Sequence, residues 1–264
     1  MIRFVAALAV LLPTLAQAQT PAPTPECQAP FGLHDNMERV YQLQDGSGKP
    51  AGTIRQRVVS MGSEQNKKKT ITTGTVLLKQ GLYDAKNRLL HQQDLTFRCR
   101  QDTAFTDGMA LLEPTALRSF RDRLFAYTPM PIAWPNRPTV GSSLPGGGVN
   151  VQVSSTAVSI ATVNAVVQNR KITGTEAVTT PAGTFQCYKV EGQQEISTIA
   201  RADMVMRDAL RVVQFYAPEV GVVKTELYDK KGKLSQVQLL TAINSGMATQ
   251  GPQKVKEKVK VKKS

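Results

Sequence analysis

The sequence is poor in the side chains from which most active sites are made. Its 264 residues hold two histidines, three cysteines and one tryptophan. Neither a C-x-x-C pair nor closely spaced histidines occur, so the usual ligand patterns of zinc sites are missing. No serine stands in a G-x-S-x-G elbow, and no local Cys/His signature surrounds the cysteines. His34 precedes Asp35, a pair able to orient an imidazole, but with no nucleophile motif beside them His34 and His91 read as surface or turn residues. Aromatic residues make up 6% of the chain and are not interleaved with the basic ones, which excludes the stacked, charged face that binds nucleic acid. No cofactor motif is found either, and no catalytic residue is assigned.

Long apolar runs are missing too, with one short exception. Arg3, the unbroken run Phe4 to Leu12 and Ala16-Gln17-Ala18 have the three parts of a secretory signal peptide over residues 1–18. The run is too short to span a bilayer. Cleavage is expected after Ala18, which makes the protein periplasmic or secreted. Cys27 lacks a small-residue lipobox, so lipidation is not expected there. Residues 19–26 (QTPAPTPE) read as an extended, Pro-rich leader. Residues 27–244 suit a single domain.

Residues 245–264 read as a disordered tail. Lys254, Lys256, Lys258, Lys260, Lys262 and Lys263 repel one another there, and the few valines between them bury too little to offset ordering the backbone. These lysines are candidates for attachment to an anionic envelope surface. They also supply part of the net charge of +13, which comes from 33 basic and 20 acidic residues. In an oxidising compartment three cysteines allow one disulfide, for which Cys99 is the preferred partner of Cys27 or of Cys187. Spacing does not choose between the two.

What the chain has in quantity is strand-like alternation. In Leu95-Thr96-Phe97-Arg98-Cys99-Arg100 the apolar residues share one face and the polar ones the other. Similar stretches run over Met37–Leu43, Thr53–Val59, Thr70–Leu78, Val151–Val167, Phe185–Val190, Arg211–Tyr216, Val222–Tyr228 and Leu234–Leu240. Thr, Val and Ile dominate them, as strands prefer. Three connections share one spacing: Asp45 with Gly48 and Lys49, Asp84 with Asn87 and Arg88, Asp229 with Gly232 and Lys233. This predicts hairpin turns with Gly48, Asn87 and Gly232 at positive φ. Pro181-Ala182-Gly183-Thr184 and Ala217 to Gly221 read as tight turns as well.

One amphipathic helix is predicted from Pro114, with Leu117, Phe120, Leu124 and Tyr127 at helical spacing. A weaker helical pattern covers Ala200 to Leu210. The Pro- and Gly-rich stretch Thr128 to Val149 reads as a long internal crossover. Together these features predict a mainly β fold: an antiparallel open barrel or half-barrel with one covering α-helix.

Several of these segments resemble the TapB-like family of exported bacterial proteins, which is close to a domain-of-unknown-function family. The likeness spans most of Cys27 to Leu240. It rests on Cys27 followed by Asp45-Gly46-Ser47-Gly48-Lys49, on Cys99 through Thr106-Asp107-Gly108-Met109, and on Pro138 to Pro145. Pro181 to Val190 (PAGTFQCYKV) and Tyr216 to Lys224 (YAPEVGVVK) are the most specific, because their order and spacing match together. Two departures stand at Gly146, where such proteins often carry Asp, and at Gly108, which interrupts an Asp-Met pair. The resemblance implies a β-rich envelope protein similar to the lipoprotein-carrier half-barrels. It brings no established activity and no catalytic residues.

Asp102, Asp107 and Glu113 form a loose acidic group after Cys99, in no calcium-loop spacing, and read as turn and cap residues. Met204 and Met206, with Met109 and Met130, are candidates for an adaptable apolar pocket. The reading that follows is a non-enzymatic envelope protein. It binds an apolar ligand such as a lipid, or a protein partner, in a β-sheet concavity. The alternatives are an exported hydrolase using the acidic group, or a structural module attached through its basic tail.

Overall fold

The computed structural model describes residue 27, residues 29–201 and residues 204–246. The expected signal peptide, the Pro-rich leader and all six tail lysines lie outside the described residues.

Alternating sequence pairs consecutive strands through tight turns. β1 (Glu38–Asp45), β2 (Pro50–Gln65), β3 (Thr72–Asp84) and β4 (Leu89–Arg100) form an antiparallel meander that β5 (Thr103–Thr106) extends. Then come β6 (Leu124–Met130), β7 (Ile132–Pro135) and the short β8 (Ser143–Leu144). A second meander follows: β9 (Gly147–Ser154), β10 (Ser159–Thr180), β11 (Gly183–Arg201), β12 (Met204–Ala217), β13 (Gly221–Tyr228) and β14 (Leu234–Asn244). β1 pairs with β14, Glu38 opposite Asn244, and this joins the two meanders into one sheet of fourteen strands. The edges of that sheet are β6 and β7. Only Pro131 separates them in the chain, so the sheet curls into a nearly closed antiparallel barrel.

The three repeated turns have one geometry. Oδ1 of Asp45 accepts the backbone N–H of Ser47 and Lys49, that of Asp84 accepts from Lys86 and Arg88, and that of Asp229 accepts from Lys231 and Lys233. Gly48, Asn87 and Gly232 sit at φ 81°, 59° and 76°, as the spacing predicts. A fourth copy joins β2 to β3 without any glycine. There Asn66 Oδ1 accepts from Thr70 and Ile71, and Lys69 takes φ 55°. Gly183 and Gly221, at φ 136° and 91°, close the two Pro-containing turns.

Three expectations change. The stretch Val151–Val167 is two strands, because Ser155 and Val158 close a turn through their backbone and the Ser155 hydroxyl. The helix at Pro114 is a 3₁₀ helix that ends at Phe120. Leu124 and Tyr127 belong to β6, where they pair with Ser154 and Val151 of β9. The helical pattern over Ala200–Leu210 gives way to the end of β11 and the start of β12, whose ladder supplies the backbone partners a helix would need. The Thr128–Val149 stretch carries the chain from one edge of the sheet, β6, to the other, β7, and then through β8 into β9.

Three apolar clusters fill the fold. The largest gathers Val58, Val76, Leu78, Leu95 and Phe97 of β2–β4 with Trp134, Ile172 and Tyr216 inside the barrel. A second lies where Val178 and Cys187, at the far end of the β10–β11 hairpin, meet Tyr41, Phe215, Val223 and Leu240. In the third, Val149, Val151, Val153 and Val163 of β9 and β10 take the apolar side of the 3₁₀ helix, Ala116, Leu117 and Phe120.

The seam opposite the continuous ladder is closed by other means. Gly108 lies so near Gly148 that a Cβ on it would stand 1.7 Å from the Gly148 carbonyl oxygen. Only glycine permits that approach. Arg170, 1% exposed, reaches across from β10 and donates through Nη1 to the carbonyls of Ala133 and Pro145, both at 2.9 Å. Its guanidinium lies 4.3 Å from the Trp134 ring centre. Burial pulls its pKa down to about 10, still high enough to keep the charge at neutral pH. Cys27 is bonded to Cys99 of β4, Cα to Cα 5.7 Å, which ties the segment before β1 to the barrel wall.

Candidate ligand cavity

The barrel encloses a cavity of about 530 Å³. Because side chains alternate along a strand and pair across neighbours, the interior of β1–β4 is built in rungs. One rung, Val58–Leu78–Leu95, is fully apolar and buried. The next is Arg39–Gln56–Gln80–Gln93, each residue opposite the one on the adjoining strand. Above it stands Tyr41–Ile54–Leu82–His91. On the facing wall Gln214, Thr225 and Gln238 make another rung across β12, β13 and β14. The 3₁₀ helix lies over the cavity and turns Pro114, Thr115 and Arg118 toward it, with Glu113 at its N-cap.

The lining is therefore mixed, with apolar layers above and below a belt of amides. Gln56 Nε2 donates to Gln80 Oε1 at 2.7 Å, so the belt is joined across strands. Arg39 is 2% exposed. Its Nη2 donates to the Phe31 carbonyl, and its Nε has no partner among the described residues. Burial lowers the Arg39 pKa and raises that of Tyr41 beside it. At the deep end Phe31 packs edge-on against Phe97 and Tyr216, with centroids at 5.9 and 6.2 Å, and Tyr216 leans on Trp134 at 4.9 Å. The Tyr216 hydroxyl donates to the Pro135 carbonyl, and burial raises its pKa.

The acidic group picked out from the sequence is divided among local tasks. Asp102 pairs with Arg137 at 3.3 Å on the surface. Asp107 accepts the backbone N–H of Thr96 and of Met109, which caps a short 3₁₀ turn. Glu113 accepts from the Thr115 hydroxyl and, among the described residues, is the one carboxylate on the cavity wall. Among the described residues no group of three His, Cys, Asp or Glu side chains is placed to hold a metal ion.

The methionines do not gather into a pocket. Met130, Met204 and Met206 are exposed, and Met109 packs against the apolar clusters. His34 is exposed near the Asp35 carbonyl, whereas His91 faces the cavity. Cys187 is a buried free thiol. Reading the sequence missed Arg39 and the glutamine belt. The only available signal was Arg39 sharing strand parity with Tyr41 and Leu43, and a glutamine alone marks neither face.

Comparison with known proteins agrees with this architecture. Among curated proteins none matches the sequence. A solved structure from Bacteroides fragilis, of a protein assigned as exported and with a YmcC-like fold, superposes with a TM-score of 0.62 at 20% identity, over 83% of this chain and 100% of that one. One from Parabacteroides distasonis, assigned as a lipoprotein, gives 0.62 at 20% identity over 81% of this chain and 97% of its own. At that identity the likeness is one of fold. Residues 37–240, from the residue before β1 into β14, match the model of the DUF3108-like family, and the chain belongs to that family.

Proposed function

We propose that this chain is a non-enzymatic protein of the bacterial cell envelope that holds a small molecule in its barrel cavity. One observation carries the reading. The cavity, about 530 Å³, lies within the range of roughly 300–1,000 Å³ usual for small-molecule sites, and among the described residues a single carboxylate, Glu113, faces it. A hydrolase working by paired acids needs two carboxylates converging on one bond. Asp102 and Asp107 are engaged elsewhere, with Arg137 and with backbone N–H groups.

Placement in the envelope is supported by the signal-like N-terminal sequence and the likeness to TapB-like exported proteins. The two structural neighbours, one assigned as exported and one as a lipoprotein, point the same way. Native mass spectrometry of protein purified from its own envelope tests the reading. A reproducible added mass, released on denaturation, is the expected result. A protein that is always empty, and that binds no amphiphilic probe afterwards, would count against it.

A further inference from the structure

The buried charge in the cavity wall bears on the kind of molecule that fits there. Arg39 sits in the second rung of the barrel interior with 2% of its surface exposed. Among the described residues no carboxylate forms an ion pair with it, and its Nε is left without a partner. A buried guanidinium without a counter-ion carries an uncompensated desolvation cost. Arg170 is also buried without a carboxylate, but two carbonyls and the Trp134 ring hold it away from the cavity, whereas Arg39 lines the cavity and has the Phe31 carbonyl as its acceptor.

The surroundings have the matching chemistry. Gln56, Gln80 and Gln93 continue the rung from Arg39, and their amide N–H groups are donors that suit an oxyanion. Arg118, on the covering helix, adds a second positive charge to the wall, against the single Glu113. The forked guanidinium is also the side chain best shaped for carboxylate or phosphate oxygens.

The order of the rungs fixes an orientation. Beneath the belt Val58, Leu78 and Leu95 are buried, and Phe31, Phe97 and Trp134, each no more than 4% exposed, line the deep end of the cavity. Above it, Ile54 and Leu82 lead to Leu90, which lines the cavity and is 60% exposed. The charge is deep and the apolar surface runs outward to the rim. Resting on the cavity-binding reading above, we propose that the ligand is an amphiphile with one oxyanion head. It enters head first, seats the head on Arg39 and the glutamine belt, and lays its apolar body along the wall toward Leu90.

Four probes of one chain length test this by calorimetry on the full protein: dodecanoate, dodecyl phosphate, dodecanol and dodecyltrimethylammonium. At least one of the acids is expected to bind ten-fold or more tightly than dodecanol, with the ammonium weakest; which acid wins separates a carboxylate from a phosphate source. In Arg39→Gln the advantage of the acids should vanish while dodecanol binds as before. The Phe31 contact makes that variant a risk for folding. Gln80→Leu is therefore measured beside it, with a several-fold loss expected for the acids alone. If dodecanol or the ammonium binds the native protein as tightly as the acids, the head-group assignment is wrong and the cavity reading stands. If no probe binds and nothing co-purifies, the cavity reading itself fails.

Discussion

Cys187 packs beneath the β10–β11 hairpin end with 1% of its surface exposed. Burial, with Glu176 nearby adding to it, pushes its thiol pKa up to about 11. The sign of the effect on stability follows from proton counting. Between the ordinary thiol value and about 11 the folded protein keeps a proton that the unfolded chain has lost. The contribution is whole below that window and falls as pH rises through it. Urea denaturation across the alkaline range should show this decline, and Cys187→Ala should flatten it. Iodoacetamide at pH 8 should leave the native thiol unmodified, because both access and thiolate are missing. Arg39 is the opposite case of a buried titratable side chain. Arg39 shares its strand face with Tyr41 and Leu43, and in the barrel that face is the interior. No local pattern distinguishes a polar side chain facing a cavity from one facing solvent.

Turns were the most readable elements, because their code is local. An Asp side chain and a residue at positive φ determine the hairpin whatever lies around it. The fourth turn lacks that code, since Lys69 occupies the left-handed position that glycine or asparagine takes in the other three. An L-residue there costs roughly 1–2 kcal/mol, partly offset by the greater freedom glycine loses on folding. Lys69→Gly should therefore raise stability by roughly 0.5–1 kcal/mol in chemical denaturation. Gly48→Ala, which puts a side chain at φ 81°, should lower it by a similar amount. A stabilising Gly48→Ala would show that the turn relaxes to another type. Helix and strand were harder to separate. Leu117, Phe120, Leu124 and Tyr127 do follow a helical period, but only the first two sit on the 3₁₀ helix. The change of element at Arg121–Arg123 is marked by no Gly or Pro. The same lack hid the turn at Ser155–Val158 within a run of Val, Ser and Thr.

For the whole molecule, the sequence implied a curved antiparallel sheet, and its closure depends on contacts between residues far apart in the chain. Arg170 bonding to Ala133 and Pro145, and Gly108 lying against Gly148, are pairings that spacing does not announce. The pairing of β1 with β14 is the longest-range of all, since Arg39 opposes Ile243. Seen in time rather than in space, this makes the first strand wait for the last. Until β14 has been made, β1 has a neighbour on one side only, and the facing rung Gln214–Thr225–Gln238 is incomplete. Folding dominated by such distant pairings is slow, on the order of milliseconds to seconds. A chain ended before Leu234 should remain unfolded by near-UV circular dichroism, and refolding of the full body should show no native-like core in its earliest phase. Emergence of the C-terminal strand, rather than any event near the beginning of the chain, then sets the moment at which the cavity first exists.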